Sequence, residues 1–381
     1  MAITGPQRYL FDIPDDVTYL NASYLTPQLR SRRRAAQRAL DQADAPWTIV
    51  TDDFFSPVER LRERFAAIIG ADVDGVAIIP SVSYGAGIAT ANLEVGPGRT
   101  VIVIEDQFPS NVYPWRSALD LGGGRLVTVP RPAEGSWTEA LLETIDDRTA
   151  VVTVPNCHWT DGSLVDLEAV GRAARAVGAA LVVDASQSLG AMPFDTGVIK
   201  PDFVYAVGYK WLLGPFGLGY LWMAPQHREG TPLEQGWIVR KGADDFTRLV
   251  DYQDDYAPGA RRFDVGERSS FQLVPMAIAA LEQVLDWGIP DVAAALQGLT
   301  GAIEERATAR GLRAIARTDR APHMIGMRAA SGWPLGLSAA LAEARVFVSV
   351  RGDSIRVSPH VYSDESDVDR LFSVLDRVLG A

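Results

Sequence analysis

The strongest constraint in this 381-residue chain is the regular return of short runs rich in Val, Ile and aromatic residues. GVAIIP (75–80), TVIVIED (100–106), RLVTVP (125–130), AVVTVPN (150–156), ALVVDAS (180–186), DFVYAVG (202–208) and GLGYLWM (217–223) each have the length and composition of a buried strand. Helical spacing fills several gaps between them, at 111–121, 137–145 and 166–177, the last with Leu167, Val170 and Ala174 on one face. Strands that are apolar throughout need cover on both faces, and intervening helices supply it. The pattern predicts an α/β fold with a large, mainly parallel seven-stranded sheet. After about residue 258 the rhythm changes to helical patterns at 275–287 and 291–310. Three short strands, HMIGMRA, ARVFVSV and SIRVSPH, then precede a helix at 364–379. We therefore expect a large domain over 15–257 and a smaller α+β C-terminal domain over 258–381.

Charge and composition narrow the function classes. A net charge of −12 and a pI near 4.9 argue against a nucleic-acid surface. The basic stretch RSRRR, Arg30 to Arg34, reads as the solvated face of an amphipathic helix. A single cysteine, Cys157, rules out an intrachain disulfide framework and suits a reducing compartment. The opening MAITGPQRYLFDIPDD has no apolar signal core, and the longest uncharged run is broken by Gly and Pro. These features predict a soluble cytoplasmic protein with no membrane partner. His158, His227, His323 and His360 are scattered without a metal-binding spacing, so no metal is expected.

Within FVYAVGYKWLLGPFGLGYLW (203–222) the one charge is Lys210. A lysine there either snorkels to solvent or is buried with its pKa pulled below the usual ~10.4. The neighbouring strand ends favour burial at a site, because ligands of open α/β sheets bind beyond the carboxyl ends of the strands. ALVVDASQS ends with Asp184, followed by Gln187, and VTVPNCHWTDG ends with Asn156. PSVSYGAGIA ends another strand and opens a helix whose N-terminal amides would face an anion such as phosphate. Taken one at a time, such residues are as readily caps and turn residues. Together they specify an anion site, a carboxylate and an amine.

The order Asp184, Gln187, Lys210, with GYKWLLGPFGLGYLW around the lysine, resembles the class V aminotransferase group of fold-type I pyridoxal-phosphate enzymes. That group includes cysteine desulfurases, kynureninases and isopenicillin N epimerase-like proteins. The resemblance runs from YLNASYLTP at Tyr19 to IRVSPHVYSDESDVDRL at Ile355. It implies pyridoxal 5′-phosphate joined to Lys210 as a Schiff base, with the freed amine later moving the substrate Cα proton. It also implies Asp184 on the pyridinium nitrogen, Gln187 and Asn156 at the ring oxygen, and Ser83, Tyr84 and Tyr209 at the phosphate. Phe108 would stack on the ring, where desulfurases usually carry histidine. Arg356 would grip the substrate carboxylate, with Asn21 beside it. A homodimer follows from the same resemblance, with segment 1–30 packed on the small domain and on the partner. GERSSFQ offers Ser269 or Ser270 as a phosphate contact across that interface. The chain departs from the desulfurases in having no cysteine after Cys157, and Val207 stands where they place a serine. The implied activity is transformation of an α-amino acid by transamination. Lyase chemistry at a C–S or C–C bond, epimerisation and a non-catalytic cofactor-binding role are the alternatives.

Overall fold

The computed structural model describes residues 3–133 and 136–380. All seven expected strands form one sheet: β1 (Val76–Ile79), β2 (Thr100–Ile104), β3 (Arg125–Val129), β4 (Thr149–Pro155), β5 (Ala180–Asp184), β6 (Phe203–Val207) and β7 (Gly219–Met223). Their spatial order is β1-β7-β6-β5-β4-β2-β3, and only β7 runs against the rest. The reversal has a local cause. The other central strands are joined through crossovers long enough to return to the same edge, whereas β6 reaches β7 by loop 208–218 alone, and so short a link between neighbours requires an antiparallel pair.

Alternation along the strands sends side chains into two apolar layers. Val182, Phe203 and Tyr205 pack with α3 (Val82–Asn92) and α4 (Tyr113–Gly122). Val183, Val204 and Ala206 pack in the layer that holds α2 (Ser56–Ile68), α5 (Trp137–Thr144) and α6 (Leu167–Ala176). In α6 the expected stripe of Leu167, Val170 and Ala174 is buried, and Asp166 caps the helix by accepting from the amides of Glu168 and Ala169. The same layer takes up α7 (Leu273–Trp287) through Val274, Ala277, Leu281 and Val284, where it meets α2 and α1 (Arg30–Ala43).

The remaining residues build a second sheet from β8 (Arg313–Ala314), β9 (Ile325–Arg328), β10 (Ser349–Arg351) and β11 (Ser354–Val357), in the antiparallel order β10-β11-β9-β8. It is covered by α8 (Ile289–Thr308) and α9 (Glu365–Leu379), with Ile303, Ala307, Leu371 and Leu375 in its core. The run ARVFVSV, expected as one strand, is split. Val346–Phe347 pairs in parallel with Thr18–Tyr19, and only Ser349–Arg351 joins the sheet. The N-terminal segment is thereby tied to this second unit, and the amide of Ala22 continues the connection to the Ser358 carbonyl at 2.9 Å.

Beside β1 lies a buried ion cluster. Arg62 and Asp264 are fully or almost fully shielded and form a bidentate pair. Arg268 donates to Asp264 at 2.7 Å, the Ile78 amide also donates to Asp264 at 2.8 Å, and Glu59 accepts from Arg62 at 3.0 Å. Among the described residues no helix is long and apolar enough to cross a membrane.

Candidate active site

Loop 208–218 is held rigidly, which fixes where its lysine points. The Gly208 amide donates to the Leu218 carbonyl at 2.9 Å and the Gly214 amide to the Gly208 carbonyl at 2.7 Å. A Cβ on Gly208 would come within 2.8 Å of the Leu218 oxygen, so the loop closes only with glycine there. From the N-terminal segment, the Thr26 hydroxyl donates to the carbonyls of Lys210 (2.7 Å) and Tyr209 (3.0 Å). Trp211 is fully buried against the rings of His323 and His360, with centroids 4.3 and 5.6 Å away. The Lys210 side chain is thus buried by its surroundings. Burial pulls its pKa down to about 8, with Asp184 opposing the fall and Arg356 adding to it.

Asp184 ends β5 and is buried too. Burial pushes its carboxyl pKa up, while the Ser186 hydroxyl, the Ser186 amide at 3.0 Å and the charge of Lys210 work against the rise. Its register neighbours are Pro155 and Tyr205. Beneath it, the hydroxyls of Tyr205 and Thr153 both donate to Asn111 Oδ1, the latter at 3.1 Å. Asp184 and Lys210 line one cavity of about 290 Å³, together with Phe108, Cys157, Trp159, Gln187 and Tyr209. The Lys210 ammonium sits 5.5 Å from the Phe108 ring centroid, and Phe108 meets Trp159 edge-on at 5.7 Å.

The other expected site residues are distributed unevenly. Gln187 borders the cavity, but its amide is engaged at both ends, donating to the Ser23 carbonyl and accepting from the Trp211 indole, each at 3.1 Å. Ser83 is exposed beside Ser81, and the Tyr84 hydroxyl turns to Glu234. Ser81 and Val82 line the cavity in their place, and Ser81 caps α3 through the Tyr84 amide. Asn156 follows Pro155 and borders a separate cleft with Arg131 and Trp137, its Oδ1 buried without a partner. Arg356 is buried in β11 and donates to the Trp159 carbonyl (2.5 Å) and the Ser349 hydroxyl (3.3 Å). Burial, reinforced by Arg351, lowers its pKa to about 9. Asn21 reaches it indirectly, accepting from Ser349 at 2.8 Å. Ser269 donates to the Phe54 carbonyl at 2.6 Å, and the Ser270 hydroxyl accepts from the Leu273 amide at 3.2 Å.

Ser81, Ser186, Trp159 and Thr26 were not singled out by sequence reasoning. Ser81 and Ser186 each stand within two residues of a strand end, which is a usable signal. Trp159 and Thr26 carry none, because their roles depend on distant loops meeting.

Seven strands, a lysine on the β6–β7 loop and a carboxylate ending β5 bring a buried amine and a buried carboxylate to one cavity of an α/β fold. A family model for class-V aminotransferases matches residues 50–371. An uncharacterised aminotransferase, YcbU of Bacillus subtilis strain 168, is 29% identical over 81% of this chain and 80% of that protein. A kynureninase of Burkholderia mallei strain SAVP1 is 27% identical over 92% and 84%. A solved structure of C-DES, with glycine covalently linked to its pyridoxal-phosphate cofactor, superposes with a TM-score of 0.87 over 97% of this chain and 99% of that one. At 20% identity, this last likeness shows the fold. The chain belongs to the class-V aminotransferase family, and its cofactor is pyridoxal 5′-phosphate. The residues present fit that group. The cavity offers a buried amine, a buried carboxylate with no ion-pair partner among the described residues, and the start of α3, whose first N–H groups have no intrahelical acceptor.

Proposed function

We propose that the protein acts on an α-amino acid, with Lys210 as the residue that carries the cofactor and moves the Cα proton, and with transamination as the outcome. The observation that carries this reading is the lowered pKa of the buried Lys210 amine, which makes a usable base near neutrality. When bound, pyridoxal phosphate supplies an electron sink for the pair left at Cα. Asp184 is placed to hold a proton on the ring nitrogen, and the Ser186 hydroxyl holds Asp184. Phe108 and Trp159 wall the cavity and limit water. Arg356, buried and without a carboxylate partner among the described residues, is suited to the substrate α-carboxylate. Asn21 stands behind it through Ser349. The phosphate would lie at the start of α3, met by its amides and by Ser81.

Lyase chemistry at a C–S or C–C bond is the second reading, favoured by the 27% identity to a kynureninase over most of the chain. Desulfuration by a protein thiol is disfavoured. Cys157 is the sole cysteine and is buried, and burial raises its thiol pKa well above the usual range. The same proposal includes a homodimer in the cytoplasm and a division near residue 258, with α7 reaching back onto the large unit. Borohydride reduction and peptide mapping test the first step. The label should fall on Lys210, and a label on Lys200 or Lys241 would refute the assignment. Mass spectrometry of products from an amino-acid panel then separates transamination from elimination.

A further inference from the structure

Beside Arg356 stands a second arginine that has no carboxylate partner among the described residues. Arg351 ends β10, and Arg356 lies on the adjoining β11, two register steps along the same hairpin. Ser354 faces Arg351 and Ser349 faces Arg356, so alternation puts both arginines on one face. Their diagonal separation is about 7–8 Å between Cα atoms. Both are attached to Trp159. Arg356 donates to its carbonyl at 2.5 Å, and the Arg351 guanidinium lies 5.6 Å from its ring centroid. Trp159 is itself a wall of the Lys210 cavity.

Among the described residues neither cation has an anionic partner. Arg351 makes one long contact, 3.4 Å to the Val350 carbonyl, and its Nε is buried with no acceptor. Arg356 Nε is likewise buried and unpartnered. Asp353, the carboxylate on the same hairpin, is committed to Arg328 at 2.9 Å. Other buried arginines are paired, Arg62 and Arg268 sharing Asp264 and Arg320 having Glu304 at 2.7 Å, while Arg32 donates only to the Leu213 carbonyl. Two adjacent guanidinium groups repel, and leaving donors buried without acceptors adds desolvation cost. Both penalties are relieved when two anions arrive together.

We propose that Arg351 is a specificity-determining residue that receives an anionic group on the substrate's side chain, so that the preferred substrate is an amino acid carrying a second carboxylate. This rests on the reading of Arg356 as the α-carboxylate grip. Arg356, bonded to the carbonyl of the cavity-lining Trp159, takes one anion, and Arg351, its guanidinium beside the Trp159 indole, presents a second fork further along the hairpin. A neutral side chain would leave that fork empty.

Titration calorimetry of the holoenzyme with carboxylates that lack an amine isolates this contact from the chemistry. Glutarate should bind at least about tenfold more tightly than butyrate, the margin expected of one charge-assisted contact. Arg351→Gln should abolish that preference with little change for butyrate, Arg351→Lys should restore part of it, and Arg356→Gln should weaken both ligands. Unaltered melting temperatures confirm that the half-buried Arg351 is not needed for folding. Equal losses for both ligands in Arg351→Gln would mean that the two arginines share one carboxylate, and the proposal would be wrong. An unchanged glutarate affinity, or no preference in the unmodified protein, would also overturn it. A misassigned Lys210 would appear in the borohydride mapping instead, leaving these titrations readable.

Discussion

Two groups of buried charge sit within this fold and are treated in opposite ways. Around Asp264, every buried charge has a partner: Arg62, Arg268 and the Ile78 amide converge on one carboxylate. At the 290 Å³ cavity Lys210 and Asp184 are buried, with Arg356 buried behind the Trp159 wall, and among the described residues none of the three has an ion-pair partner. In the first cluster the charges answer one another, which is how a charge is kept inside a protein. In the second they answer to something that arrives later. Unpaired burial shifts the Lys210 and Asp184 pKa values toward the neutral forms, which is the pattern the proposed site requires and a structural ion pair does not.

The sharpest break in this comparison is Lys210→Met. Activity should fall by on the order of 10⁴-fold with loss of the general base. Yet the cofactor-free protein should become more stable. The folded pKa of Lys210 is about 8 against 10.5 for the free side chain, so the folded state binds its proton less tightly than the unfolded state does. Below pH 8 the buried ammonium costs roughly 3 kcal/mol, and that cost disappears as pH rises from 8 to 10.5. Denaturation at pH 7 and pH 10.5 should show the gain from Lys210→Met shrinking across that interval.

Asp264→Ala reverses the signs. It strands Arg62 and Arg268 without a counter-charge and should destabilise the fold by about 3–5 kcal/mol, measured by urea unfolding. Asp184→Asn comes next: substrate Cα–H exchange with deuterated solvent should slow by about 10²–10³-fold, with melting of the cofactor-free protein unchanged or raised. If Asp184→Asn instead unfolded the protein, the carboxylate would belong with the structural cluster. The smallest effect belongs to Arg356→Lys, which keeps the charge and loses the planar fork. KM for amino acids should rise about tenfold, with the cofactor absorbance intact.

Much of this was legible in the chain itself. Seven runs of β-branched and aromatic residues announced seven strands, and Lys210 stood out as a single charge in an apolar stretch. Asp184 was readable only in company, because a carboxylate after a strand is commonly a cap or turn residue, and Gln187 and Lys210 following in order set it apart. Asn156 shows the limit. Pro155 is in register with Asp184, so the next residue points to the opposite face of the sheet, and one position decides which cavity a side chain enters. Ser83 and Tyr84 show it again. The start of a helix was evident, but its rotation was not, and Ser81 with Val82 meets the cavity.

The sequence by itself determined what is local: which segments are strands, where glycine lets loop 208–218 close, and which strand ends carry ionisable groups. Tertiary structure decided what depends on distant segments meeting. Thr26 grips the lysine's backbone from a position far away in sequence, Arg351 and Arg356 come to share Trp159, and Asp264 receives two arginines while Asp184 receives Ser186 alone. Periodicity and propensity act over a few residues and are written in order along the chain. A pKa or an unpaired charge reflects whatever surrounds a group in space, and that exists only after the elements have packed.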